Sequence, residues 1–263
     1  MIQCFLAQNI EKLADQGFYY PHDEQVALGK NMRISGGNFQ RLDDLDALQE
    51  AADQRNQSLL FSGERLLIDF SRNDDLFERL AARNYEINIL LFIRNPFETF
   101  RSGYIQAVKR NGCTSSFEQY CEINKFAPKM VSLVGKLHKG CEKYEVNLTV
   151  LNYDTHRLSL IERVATFLGL EAHSMQGVKQ RVNRSLNPSE IQVQRKFNQY
   201  FGAQSYQFIS DVLYEELPHV ESTPIMPSRE SYTKIVDYLN QSIRETNEIL
   251  SANCEKYEII DQK

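Results

Sequence analysis

Residues 86–93 read EINILLFI, an almost unbroken apolar run of strand length, flanked on both sides by stretches of helical periodicity. A run of this kind has no wet face. It demands cover on both sides, as the strands of a parallel sheet have. SLLFS (58–62) and NLTVLNY (147–153) repeat the pattern, the second with more polar residues. Between and after them lie DDLFERLAARN, PFETFRSGYIQAVKR, FEQYCEINK, KMVSLVGKLHKGCEKY and SLIERVATFLGL, all helical in spacing, with Gly169 placed to stop the last. Strands separated by helices predict an α/β architecture with a parallel sheet.

The ends of the chain are helical. MIQCFLAQNIEKLADQG predicts an amphipathic helix carrying Ile2, Phe5, Leu6, Ile10 and Leu13, with Gly17 at its C-terminal cap and no side chain to cap its first turn. HSMQGVKQRVNRSL reads as a loop. After it, Asn187, Pro188 and Glu190 form a helix start of capping-box type. SYQFISDVLYEEL and a long helix from Ser228 follow; the latter has Tyr232, Ile235, Val236, Leu239, Ile243 and Leu250 on one stripe. The 263 residues are taken as one domain, an α/β core over 1–170 and a mainly helical region over 171–263.

Composition narrows the function classes. A formal charge of −5 argues against a dedicated nucleic-acid binder and is compatible with a local basic pocket. The five cysteines show no CxxC pair and the five histidines no HExxH, which predicts reduced thiols in a cytoplasmic protein and no metal site. No apolar run reaches the ~18 residues of a membrane span, and the first residues lack the pattern of a signal peptide.

The segment that carries chemistry is ILLFIRNPFETFRSGY (89–104). A strand ends at Arg94, and Asn95-Pro96-Phe97-Glu98 begins a helix with a cap and a proline in its first turn. A cation at the carboxyl end of a strand, beside backbone N–H groups at a helix start, is suited to an anion. Phe97, Phe100, Tyr104 and Val108 share the apolar face of this helix, and Glu98, Thr99, Ser102, Gln106 and Lys109 the polar one. Ser102 is thereby placed to join Arg94 around one phosphate. The bland alternatives are an Arg paired with a surface carboxylate and a solvated Ser.

Arg-x-Pro followed by Ser-x-Tyr, with Arg94 and Ser102 eight apart, resembles the 3′-phosphate-binding segment of sulfotransferases that use 3′-phosphoadenosine 5′-phosphosulfate (PAPS). IQCFLAQNIEKLADQGFYYP, SLLFSGE, NYDTHRLSLIERVATFLGL and VNRSLNPSE resemble, in order, further parts of the bacterial, carbohydrate-type branch of that family. The resemblance implies a three-layer, P-loop-type parallel-sheet fold, with Arg94 and Ser102 on the donor's 3′-phosphate and Arg184 of the late loop as a further basic contact. It implies transfer of a sulfuryl group from PAPS to a hydroxyl or amine, most naturally of a carbohydrate, with 3′-phosphoadenosine 5′-phosphate as the product and no metal. Glu64, just past SLLFS, is the implied general base; it is equally placed to begin a helical turn.

The family's Lys-Thr-Gly-Thr-Thr loop, which wraps the 5′-phosphosulfate, has no counterpart in the sequence, and Ser35-Gly36-Gly37-Asn38 reads as a turn. In the family that loop and its strand precede the helix matched here by residues 2–17. The expectation is that they lie upstream of Met1, where a signal or anchor would also belong, and that without the strand its neighbours keep unpaired backbone groups. Two other readings stay open: a non-catalytic nucleotide-binding protein or degenerate remnant, and, less favoured for want of a Walker sequence, a P-loop kinase. Asp69, Arg72 and Asp74 read as helix-start residues. Tyr19, Tyr20 and Pro21 read as core or as the lining of an acceptor cleft, and His22 as an exposed residue or a base.

Overall fold

Helices cover both faces of short strands, giving a mixed α/β structure. This computed structural model describes residues 1–21, 26–28, 37–38, 44–83, 85–124, 126–171, 175–177, 186–206, 209 and 225–261. The chain divides into two compact units. One comprises Met1–Phe92, Lys136–Asn183 and Asn253–Glu255; the other comprises Ile93–Gly135, Arg184–Ala252 and Lys256–Lys263.

In the first unit β1 (Phe18–Tyr19) lies parallel to β2 (Ser58–Leu59), with Phe18 opposite Ser58 and Tyr19 opposite Leu59. β3 (Asn88–Ile93), which begins in this unit, pairs with β4 (Asn147–Asn152) in a second parallel pair. Among the described residues the sheet expected over these runs is present as two two-stranded sheets. Hydrogen bonding explains the split. Ser58 and Leu60 donate their N–H groups to Gly17 O (2.7 Å) and Tyr19 O (2.9 Å), so β2 is joined on the β1 side. Asn147 N–H donates to Ile87 O (3.0 Å), which turns the odd residues of β3 toward β4 and, by the two-residue period, Leu90 and Phe92 toward the other edge. No described strand pairs with that edge.

The alternation of side chains shows why the runs are apolar throughout. Leu60, Leu90 and Phe92 pack on one side with Phe5, Leu6, Leu13, Val164 and Ala165 of the covering helices. Leu59 and Phe61 pack on the other side with Leu45 and Leu76, and Ile89 and Leu91 with Phe77, Leu137 and Cys141. The fully buried Phe5, Leu6, Leu13, Leu45, Leu76, Phe77 and Leu137 contribute roughly 1.5–3 kcal/mol each, and the half-buried strand residues less.

The opening helix is broken in two, Ile2–Gln8 and Ile10–Asp15. The cause is Asn9, 2% exposed, whose amide donates to Phe5 O (2.8 Å) and Gln176 O (3.0 Å) and accepts from Gln176 N–H (2.7 Å). A side chain serving a residue so distant in sequence interrupts the helix that carries it. Gly17 ends the second piece at φ +84°, and Gly169 ends Leu160–Phe167 at φ +67°. Tyr20 and Pro21 are buried, with the Tyr20 hydroxyl 2.7 Å from Ser62 Oγ, so they belong to the core. Asp69 and Arg72 lie within a helix, Leu66–Arg72, while Asp74 opens the next, Asp74–Ala81.

In the second unit the helix Pro96–Arg110 buries Phe97, Phe100, Tyr104 and Val108, the face read from its spacing. Lys109, placed on the polar face by that spacing, is only 4% exposed. The end of this helix is covered by Pro188–Phe201, whose Asn198 donates to Val108 O (2.7 Å) and Cys113 O (2.9 Å). The covering helix starts as its sequence indicates: Asn187 Oδ1 accepts from Glu190 N–H (2.9 Å), and Glu190 Oε2 from Asn187 N–H (2.8 Å). Arg229–Ile249 is the long last helix, capped by Ser228 and buried along Val236, Leu239 and Ile243. Most of SYQFISDVLYEEL lies outside the described residues.

Candidate functional site

The segment Arg94–Tyr104 lies wholly in the second unit. Asn95 caps the helix: its Oδ1 accepts from Phe97 N–H (2.9 Å) and Glu98 N–H (3.4 Å). Pro96 has no N–H, and Thr99 N–H already donates to Asn95 O (3.0 Å). The backbone donors expected to form an anion site are therefore engaged by the helix's own first residues. Any anion here has to be met by side chains.

Those side chains form a line. Arg94, Glu98 and Ser102 are spaced four apart and Arg101 follows Glu98 by three, and Glu98 Oε2 stands between the two cations. It lies 3.8 Å from Arg94 Nη2 and in close contact with Arg101 Nη2. The Arg94 side chain is 40% exposed, those of Glu98 and Arg101 26% and 22%. These ion pairs bring two guanidinium groups to the Glu98 carboxylate in a place partly open to water. Ser102 is exposed, two turns from Arg94, and its hydroxyl makes no hydrogen bond with a described residue. Arg94 stands between the end of β3 and the helix cap and Ser102 lies within the helix, while Glu98 between them occupies part of the charge an anion would meet.

Arg101 is the residue the sequence reading passed over. The signal was present, since Arg94, Glu98 and Arg101 fall at (i, i+4) and (i, i+3) spacing, where charged side chains meet on a helix. Tyr104, part of the Ser-x-Tyr pattern, is core. Its hydroxyl donates to Ser115 O (3.0 Å), and burial pushes its pKa up to about 12, so at neutral pH it is a protonated donor.

Glu64 lies in the first unit, exposed in the turn after Gly63, and makes no hydrogen bond or ion pair with a described residue. Gly63 bridges to Gly37, whose φ of +99° and 1.9 Å separation between an added Cβ and Ser62 O admit only glycine. Asn38 fastens the same point: its amide donates to Leu60 O (2.9 Å) and accepts from Ser62 N–H (2.8 Å). The described part of Ser35–Asn38 is thus a clasp on the end of β2. Arg184 and His22 lie outside the described residues.

All five cysteines are free thiols, and burial raises Cys141 and Cys121 to about 12, away from the range of reactive thiolates. Among the described residues no group of three or more His, Cys, Asp or Glu could hold a metal ion, and no helix is long and apolar enough to cross a membrane. No protein family, curated protein or solved structure matches the chain.

Proposed function

We propose that Arg94 and Ser102 form the 3′-phosphate grip of a PAPS-using sulfotransferase built on a P-loop-type α/β fold. The observation that carries the reading is the segment itself: a strand ends directly at Arg94, and Ser102 stands exposed two turns along the helix that follows. A dianionic phosphate is met there by a guanidinium and a hydroxyl, with Arg101 as a second cation once Glu98 moves aside. The layering of helices on both faces of short parallel strands in the first unit supports the fold half of the proposal.

In the reaction, the bond from sulfur to the bridging oxygen of PAPS breaks as the acceptor oxygen or nitrogen bonds to sulfur. The acceptor's proton passes to a base, and 3′-phosphoadenosine 5′-phosphate leaves. This chain's residues would hold the nucleotide through Arg94, Ser102 and Arg184 and take the proton at Glu64. The acceptor is a hydroxyl or amine, with a carbohydrate favoured by the branch resembled. A second reading, nucleotide binding without transfer, is favoured by one observation: the sequence has no Lys-bearing loop for the 5′-phosphosulfate.

Calorimetry with 3′-phosphoadenosine 5′-phosphate tests the grip. Binding is expected, weakened at least tenfold by Arg94→Ala and less by Ser102→Ala, with adenosine 5′-phosphate a poor ligand. A folded chain that does not distinguish the two nucleotides overturns the proposal. Sulfate transfer from labelled PAPS to an acceptor panel separates the two readings. If transfer occurs, Glu64→Gln should lower its rate and leave nucleotide affinity unchanged.

A further inference from the structure

We infer that the open edges of β2 and β3 are built to receive one further strand, apolar on both faces and joined in sequence ahead of the helix Ile2–Gln8. It merges the two pairs into one sheet in the order β1, β2, added strand, β3, β4. The inference goes beyond the proposed function: it rests on backbone pairing and holds whether or not a nucleotide binds.

Backbone direction defines the edges. Ser58 and Leu60 donate to Gly17 O and Tyr19 O on the β1 side, so by the two-residue period Leu59 presents its N–H and C=O on the other side. Leu90 and Phe92 do the same on the side of β3 away from β4. None of these three residues makes a hydrogen bond there with a described residue. The outer edge of β4 gives the contrast. Val150 O accepts from Glu255 N–H (3.0 Å), and Asn152 N–H donates to Glu255 Oε2 (2.5 Å). With that edge closed Val150 is 0% exposed, whereas Leu59, Leu90 and Phe92 are only half-buried although helices cover them. β3 carries neither a charge nor a proline from Asn88 to Ile93, the usual guards of an edge left to water.

Both edges lie under the same helices. On one face Leu60, Leu90 and Phe92 join the cluster of Phe5, Leu6, Val164 and Ala165. On the other, Phe70 packs both with the cluster that takes Leu59 and Phe61 and with the cluster that takes Ile89 and Leu91. A strand seated between the edges meets helix on both faces, so it is apolar on both, as EINILLFI is. The chain's own connections name the occupant. Parallel strands need a crossover, and β1 reaches β2 through the helix Leu45–Gln54. Ile2–Gln8 and Ile10–Asp15 are the same kind of element: they cover this layer, and Gly17 turns them straight into β1. A helix so placed is the middle of a strand–helix–strand unit, whose first strand lies parallel to its last. Phe5 and Leu6, early in that element, share a cluster with residues of both edges, which sets the incoming strand between β2 and β3.

Hydrogen exchange on the whole chain comes first: the Leu59, Leu90 and Phe92 amides should exchange at least tenfold faster than those of Leu60, Ile89 and Leu91, which face a strand. The segment Thr-Val-Ile-Val-Val-Thr is then joined ahead of Met1 through a Gly/Ser linker of about five residues. It should slow the three open amides at least tenfold and raise the urea midpoint. A form with proline at both central positions, which lacks a donor toward either edge, should do neither. The free peptide and its N-methylated form, added to the unextended chain, carry the test if the extended chain aggregates. Equal exchange at open and paired positions in the unextended chain overturns the open edges. Protection of Leu90 and Phe92 without Leu59, or no protection by either route, overturns the shared slot. Protection by the free peptide and none by the joined segment in a folded chain overturns the connection to Ile2–Gln8. Protection that appears only as the extended chain dimerises in light scattering seats the strand in a second copy and overturns the occupant.

Discussion

Replacing Glu98 by Gln should tighten the binding of 3′-phosphoadenosine 5′-phosphate, and the size of the gain follows from the cluster's geometry. Glu98 Oε2 lies 3.8 Å from Arg94 Nη2 and also holds Arg101, so one carboxylate opposes any phosphate brought to these cations. A phosphate dianion on the far side of Arg94 sits about 7 Å from that carboxylate, and at an effective dielectric of about 60 the repulsion is roughly 1.6 kcal/mol. Screening reduces it to roughly 0.7 kcal/mol at 0.15 M salt, about a threefold gain for Glu98→Gln, and to roughly 1.2 kcal/mol at 0.01 M, about eightfold. The exposed ion pairs and the helix-start charge together contribute about 1 kcal/mol or less to stability, so the variant should fold normally. Calorimetry of both proteins at the two salt concentrations, with urea melts alongside, reads the effect. An affinity ratio that does not grow as salt is lowered, or a variant that binds more weakly, refutes the electrostatic account.

Asn198→Leu should cost about 2–4 kcal/mol in urea unfolding, because it removes the donor that Val108 O and Cys113 O share, each carbonyl worth about 1–3 kcal/mol unpaired; a cost below about 1 kcal/mol would show that water reaches these groups. Burial raises Glu255, but the Asn152 N–H, His156 and the charge of Arg163 outweigh it and hold the carboxyl below its ordinary value. A depressed carboxyl contributes stability above its unfolded pKa, near ~4.3, that is lost as pH falls through the folded value, so the urea midpoint should drop on acidification and Glu255→Gln should remove part of that slope. An added Cβ at Gly140 would lie 2.9 Å from the Phe77 ring, so Gly140→Val should destabilise by about 1–3 kcal/mol. Gly140→Ala, with a helix-propensity gain of about 1 kcal/mol to offset the contact, should stay near neutral in thermal melts.

Local signals carried far in this chain. The Asn95-Pro96 start, the capping box at Asn187 and Glu190, the Gly169 stop and the buried face Phe97–Phe100–Tyr104–Val108 depend on residues within one or two turns of each other, and each stands where the spacing places it. The sequence by itself also determined that the three apolar runs need cover on both sides, and it put Arg94 at a strand end and Ser102 on the polar side of the helix that follows.

Only the tertiary structure decided the rest. Asn9 breaks its helix because Gln176 comes to it, Lys109 is buried because a distant helix covers its turn, and Asn240 and Asn247 find partners in the chain's last residues. The runs that predict one sheet form two, since pairing is settled by which strands come side by side, which hydrophobicity along a run does not record. At the candidate site the sequence singled out Arg94 and passed over Arg101 and the Glu98 carboxylate that both guanidinium groups meet. A cap and a carboxylate within the same helix turn occupy the donors, and whether an anion displaces that carboxylate depends on charges a few ångströms apart in space.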